Sequence, residues 1–258
     1  MKNFFIVMVL MCAAGFYTIF SQPIQNPIPS EKLTLKVDSI VNDSSVIEKL
    51  YHRIALEGKL KYEVFEMAMQ GFENLSLRNK DIITIIDFTL PSTEKRMCVI
   101  DLKNQKLLYH TIVSHGRNSG EKYATSFSNR HGSFQSSLGF YVTEKTYFGG
   151  NGYSLVINGM EKGINDQAKA RAVVIHGADY CSQRIINATG RLGRSYGCPA
   201  LPREVTKPII NTIKNGTGLF IYADNPEYMA SSKILKSNET MLAQRELPDI
   251  PEGGAILN

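Results

Sequence analysis

Between Ser45 and Phe72 the apolar residues Val46, Ile47, Leu50, Ile54, Leu56, Leu60, Val64, Phe65, Met67 and Ala68 recur near helical spacing, and Gly58 interrupts them. This predicts two short helices. From about Asp81 the pattern changes to runs of β-branched and aromatic residues separated by Gly, Asn and Ser clusters, the mark of strands and hairpins. The expected strands are Ile82–Asp87, Arg96–Leu102, Lys106–Ser114, Leu138–Thr143, Tyr153–Ile157, Val173–His176 and Leu219–Ala223, with a turn at Leu102–Gln105. One late helix is expected over 203–214, where Val205, Ile209 and Ile213 share a face and Gly216 follows as a stop. Pro208 requires that helix either to begin near Thr206 or to kink. After Tyr222 the chain turns polar, and Asn225 to Asn258 reads as a tail.

The amino terminus has a different pattern. Lys2 precedes an apolar run from Phe4 to Phe20, which is 17 residues long and intermediate between a cleaved signal core and a membrane-spanning helix. Residues 1–21 are therefore expected to be a signal peptide cleaved after Ser21 or a retained membrane anchor. Pro23, Pro27 and Pro29 then make residues 22–44 an extended linker. Both readings place the protein outside the cytoplasm, in the periplasm or cell envelope. Membrane contact would run only through the N-terminal segment.

Across 258 residues, 43% hydrophobic and 21% charged, a sizeable core and one main domain with appendages are expected. Without residues 1–21 the charge is 28 Lys+Arg against 24 Asp+Glu. That balance, with no dense basic run interleaved with aromatics, argues against nucleic acid and leaves an acidic polymer surface as a compatible partner. A monomer is expected.

Export gives the cysteines meaning. Cys98, Cys181 and Cys198 form an odd set in a compartment that favours pairing, so at least one thiol stays free. Cys98 and Cys181 could pair, or both could be buried and reduced.

The densest chemistry lies in Val173–Leu201. A β-branched run delivers His176 at a strand end, and Gly177 breaks the strand. Ser195-Tyr196-Gly197-Cys198-Pro199 then sets a thiol after a glycine that lets a substrate approach the backbone. A free thiol is only slightly ionised at neutral pH, so an imidazole that takes its proton raises its reactivity. The Gly197 and Cys198 amides could meet a tetrahedral oxyanion, an effect worth roughly 3–4 kcal/mol per donor. Zinc binding by His176, Cys181 and Cys198 lacks the clustered spacing of structural sites. Papain-like peptidases place Cys before His, the reverse of the order here.

At these residues the sequence resembles the murein L,D-transpeptidase catalytic domain family, of the YkuD type. The likeness rests on His176-Gly177, Gly190 to Leu201, and upstream Asp87-Phe88, Asp101-Leu102, His115 to Gly120 and Ser136 to Tyr141. Tyr196 stands where many members carry a second His. The resemblance implies a mainly β, sandwich or barrel-like catalytic domain over residues 80–223, preceded by a helical segment over 45–79 and followed by a tail over 224–258. It also implies a reaction with peptidoglycan stem peptides that needs no metal or cofactor. Cys198 is the expected nucleophile and His176 the base, with Gly197 and Ser195 in the catalytic loop and the Gly177 carbonyl orienting the imidazole. Arg191 and Arg194 could hold a stem carboxylate or could tie loops together. Tyr196, Tyr141 and His115 are the other candidates for lining the substrate groove.

Overall fold

The computed structural model describes residues 44–236. The expected signal or anchor, nearly all of the linker, and the chain after residue 236 lie outside the described residues. No helix among the described residues is long and apolar enough to cross a membrane.

Two helices come first. Helix α1 (Ser44–Ile54) buries Ile47, Leu50, Tyr51 and Ile54, one stripe at helical spacing. Helix α2 (Tyr62–Glu73) buries Val64, Phe65, Ala68, Met69 and Phe72, and the Tyr51 hydroxyl donates to the Leu60 carbonyl at 2.6 Å to lock the turn between them. Phe72 lies against Gly218, and Gly71 leaves room for the ring of Phe140. The helical preface is thus part of the main core.

The rest of the chain is organised around one mixed sheet of eight strands: β1 (Ile82–Asp87), β2 (Met97–Asp101), β3 (Lys106–Thr111), β4 (Gly139–Gly149), β5 (Gly152–Gly159), β6 (Val174–Gly177), β7 (Ala200–Leu201) and β8 (Gly218–Tyr222). Their spatial order is β3-β2-β1-β8-β4-β5-β6-β7. Neighbours are antiparallel except β1 with β8 and β6 with β7. Strands β1 and β8 are buried at every position, which explains why they read as unbroken apolar runs instead of alternating ones. The Phe140 and Phe220 rings stack at 4.3 Å across β4 and β8.

The two margins of the sheet meet. Past the end of β3, Ser114 bridges to Ala200 of β7, and Gly116 bridges to Ser195. The Ser114 N–H donates to the Ala200 carbonyl at 2.8 Å, the Arg117 N–H to Ser195 at 2.7 Å, and the Ser195 N–H to His115 at 3.0 Å. The sheet therefore curls toward closure, the barrel-like arrangement expected for the family.

Several elements differ from expectation. Strands β4 and β5 run on to a hairpin tip at Gly149–Gly152, past the expected ends. Helix α3 (Gln183–Thr189) has no buried residue and so no apolar stripe to reveal it. Helix α4 (Arg203–Ile213) begins at Arg203 and carries Pro208 inside it, so it does not start at Thr206. The part of the expected tail nearest the domain is structured. Helix α5 (Pro226–Ser231), capped by the Asn225 side chain, buries Tyr228, and Ser232 and Leu235 are buried after it. Tyr228 and Ser232 both donate to the buried Glu161 carboxylate, which also receives the Phe140 N–H at 2.7 Å.

Candidate active site

Strand β6 carries His176, and β7 lies parallel to it in the register His176↔Ala200. Cys198, two residues before Ala200, is thereby brought beside Val174. The chain reaches β7 through a loop that leaves α3 at the left-handed Gly190. It is pinned where the Gly193 N–H donates to Tyr180 at 2.8 Å and where Ser195 joins the segment after β3.

The turn that presents Cys198 depends on Gly197. Its φ of +122° is a conformation that side chains disfavour. A Cβ there would stand 2.8 Å from the Gln135 carbonyl oxygen and 3.3 Å from Arg171. Ser195 braces the turn: its hydroxyl donates to the Cys198 carbonyl at 2.6 Å and accepts from the Gly197 N–H at 3.1 Å. Of the two amides considered for an oxyanion, Gly197 is thus engaged by Ser195. Behind the turn, Ser136 Oγ donates to the Gly197 carbonyl at 3.2 Å. Arg171 fixes that backing segment with donations to Ser128, Ser133, Gln135 and Ser137, the shortest 2.6 Å.

The Cys198 thiol is half-buried. Its S–H donates to the Ala172 carbonyl at 3.7 Å, and Sγ accepts from the Val174 N–H at 3.5 Å. Ala172 itself has a φ of +56°, a sparsely populated conformation that turns its carbonyl toward the thiol. Burial pushes the thiol up from its ordinary value, against the lowering effects of the Val174 N–H and the Arg171 charge. His176 is buried and shifted down, chiefly by burial. Its Nδ1 lies 3.1 Å from the Gly177 carbonyl. A carbonyl only accepts, so Nδ1 carries the proton and the neutral ring keeps a lone pair on Nε2. Both partners are therefore neutral at rest. No direct hydrogen bond joins them among the described residues, a looseness common before substrate binds.

Both line one pocket of about 520 Å³, together with Ser195, Tyr196, Tyr180, Asn151 and the arginines 117, 191 and 194. A larger cavity of about 830 Å³ lies between the α1–α2 turn, the β3 edge and the start of α4, and no cysteine lines it. Tyr196 is 65% exposed, packs on Phe134 at 4.8 Å and lies under the Arg117 guanidinium. Arg194 donates to the Arg117 and Gly120 carbonyls and pairs with Glu121, whose second oxygen meets Arg191.

Two expected groove residues are elsewhere. His115 is buried, with Nδ1 accepting from Arg96 at 2.8 Å and Nε2 bearing on the Gly120 carbonyl, and desolvation lowers it to about 4. It supports the loop from behind. Tyr141 is buried at the start of β4 and its hydroxyl donates to Ser137, so it packs in the core away from the pocket. Cys98 and Cys181 are free buried thiols, raised by burial to about 12 and about 11.

Arg117, Glu121, Asn151, Arg171 and Tyr180 are not among the residues expected at the site. Asn151 sits at the β4–β5 hairpin tip, and Arg171 just precedes β6. Arg117 lies within the His115–Gly120 stretch, Tyr180 within Val173–Leu201, and Arg171 five positions before His176, whereas nothing in the local sequence marks Glu121 or Asn151.

A family model described as L,D-transpeptidase catalytic domain matches residues 56–222. It starts within the helical preface, earlier than the domain boundary expected at residue 80. No curated protein sequence matches the chain. Among solved structures, an L,D-transpeptidase from Mycobacterium smegmatis is similar at 12% identity over 55% of this chain and 59% of that one, with a TM-score of 0.35. The chain thus spans less than two thirds of that relative's length. An L,D-transpeptidase from Stackebrandtia nassauensis is similar at 16% identity over 71% of this chain and 79% of that one, with a TM-score of 0.34. The L,D-transpeptidase LdtMt1, solved in complex with imipenem, is similar at 12% identity over 56% of this chain and 60% of that one, with a TM-score of 0.35. The matched span is well over half of the sequence, and it encloses the thiol, the imidazole and the curled sheet that brings them together: the chain belongs to the L,D-transpeptidase catalytic domain family.

Proposed function

We propose that the protein is an exported cysteine L,D-transpeptidase that acts on peptidoglycan stem peptides, with Cys198 as nucleophile and His176 as general base and acid. The observation that carries this reading is the placement of Cys198 on a braced glycine turn beside the strand bearing His176, both opening into one pocket. The neutral resting pair favours proton transfer in step with attack over a preformed thiolate–imidazolium pair.

Nε2 of His176 takes the thiol proton as Sγ bonds to the carbonyl carbon of the third stem residue. The carbonyl electrons move to oxygen, where the Cys198 N–H, which Ser195 does not engage, is the donor. The tetrahedral species collapses, the bond to the terminal D-alanine breaks, and His176 returns its proton to that leaving amine. The thioester is then attacked by the side-chain amine of a second stem, giving a 3→3 cross-link, or by water, giving carboxypeptidase activity. The Gly177 carbonyl keeps the imidazole in the tautomer this needs. The apolar run after Lys2 supports delivery to the cell envelope.

Incubation with a disaccharide tetrapeptide, followed by mass spectrometry, tests the reading. Cross-linked dimer or free D-alanine is expected, and neither should form with Cys198→Ala. Folded wild-type protein that yields no such product overturns it. A carbapenem, which offers a strained acyl carbonyl, is expected to leave a covalent adduct on Cys198. Equal labelling of the Cys198→Ala protein would refute that assignment.

A further inference from the structure

The arginines at the pocket are held unusually for surface cations. Arg194 and Arg191 have side chains only 21% and 28% exposed. Neutral carbonyls fix both: Arg194 Nη1 donates to Arg117 and Gly120 at 3.0 Å each, and Arg191 Nη1 donates to Leu192 at 2.8 Å. The Gly120 carbonyl is itself supported from behind by the buried Arg96–His115 pair. Among the described residues, the one carboxylate facing these guanidinium groups belongs to Glu121, whose side chain is 68% exposed. Its Oε1 lies 2.6 Å from Arg194 and its Oε2 lies 2.8 Å from Arg191. The cations are anchored and the anion is the exposed partner. Fixed donors with an exchangeable anion make a preorganised receptor for a carboxylate.

We propose that Arg191 and Arg194 form a seat for a substrate carboxylate next to the scissile bond, and that Glu121 occupies this seat until the substrate displaces it. This rests on the L,D-transpeptidase reading, in which the stem carries two such groups: the terminal carboxylate of the leaving D-alanine and the free carboxylate of the third residue. Either supplies the two oxygens that Glu121 now supplies. Glu121 then sets specificity by competition. A ligand with a free carboxylate replaces it at little electrostatic cost, whereas an amide leaves two partly buried guanidinium groups without their anion.

Binding tests this apart from turnover. Three stem tetrapeptides are titrated calorimetrically into Cys198→Ala protein: one with both carboxylates free, one with the terminal D-alanine amidated, and one with the third residue amidated. One amide is expected to bind about tenfold more weakly than the free acid, and which one it is identifies the carboxylate. Glu121→Gln should tighten the free-acid peptide several-fold, and Arg194→Gln should remove the discrimination. Both amides binding as well as the free acid, no binding by any of the three, or unchanged affinity in Glu121→Gln overturns the proposal. Because these titrations need no catalysis, failed product formation by the wild-type protein would count against the reaction, not against the seat.

Discussion

Replacing Gly197 with alanine makes a severe test of the site. At a φ of +122° an L residue is strained by about 1–3 kcal/mol. The new methyl would also stand 2.8 Å from the Gln135 carbonyl oxygen. That carbonyl is held by Arg171 at 2.6 Å and cannot retreat without loosening the bond. Overpacking of this kind adds about 1–3 kcal/mol. Held rigid, the turn would carry about 2–6 kcal/mol, which in a domain of this size lowers Tm by roughly 4–24 °C. The turn is a loop braced by two serine hydroxyls, those of Ser195 and Ser136, so it is expected to yield, exchanging most of that strain for a displaced Sγ. A displacement near 1 Å costs about 100-fold in rate. The assay is kcat/KM on tetrapeptide together with a thermal melt and the rate of Cys198 alkylation. The expected result is a loss near 100-fold with a fall in Tm of a few degrees. Wild-type kcat/KM with a Tm within about 1 °C of wild type would refute the reasoning, because strain and displacement cannot both be absent.

Three further outcomes follow from the same geometry. Alkylation of Cys198 by iodoacetamide in the resting protein should keep rising to alkaline pH, with a midpoint above the ordinary thiol value of 9.0; a midpoint below about 7 would show a preformed ion pair instead. Cys98 and Cys181, only 2% and 0% exposed, should remain unlabelled while the half-buried Cys198 reacts, as peptide mapping would report. Burial raises the Glu161 carboxyl above the ordinary 4.5, so the folded state keeps a proton that the unfolded chain releases; its contribution is full at and below the free value and is lost as pH rises through the folded one. Wild-type protein should therefore lose urea stability relative to Glu161→Gln as pH rises above 4.5, and parallel pH profiles would contradict this.

How much was legible follows from where each signal lives. The inner strands could be read because both of their faces are buried, as in Ile82-Ile83-Thr84-Ile85-Ile86. The outer half of β4 could not, since Glu144, Lys145, Tyr147 and Phe148 lie toward solvent or at its margin. Two-residue β7 has no period to detect; the long-range pairing with His176 defines it. The structured part of the expected tail was hidden for a related reason, as Tyr228 and Ser232 are held by the distant Glu161 carboxylate. At the site, Cys198 and His176 stood out because they share one dense segment. Asn151, which lines the pocket, Arg171, which backs the nucleophile turn, and Glu121, which pairs with the pocket arginines, did not, because each comes from a separate loop. His115 looked like a loop residue for want of any local sign that Arg96 would bury against it.

The junction of the sheet margins at Ser114–Ala200 and Gly116–Ser195 makes the site a property of the completed domain. The segment that braces the nucleophile loop precedes β4, whereas the loop itself follows α3, so no continuous short fragment contains both. A chain clipped between them, or one still threading outward before its later strands are in place, carries Cys198 only as an ordinary thiol. Acylation of that one sulfur by stem peptide or carbapenem therefore reports on closure of the domain, and two separately made halves of the chain should acquire it only when they meet.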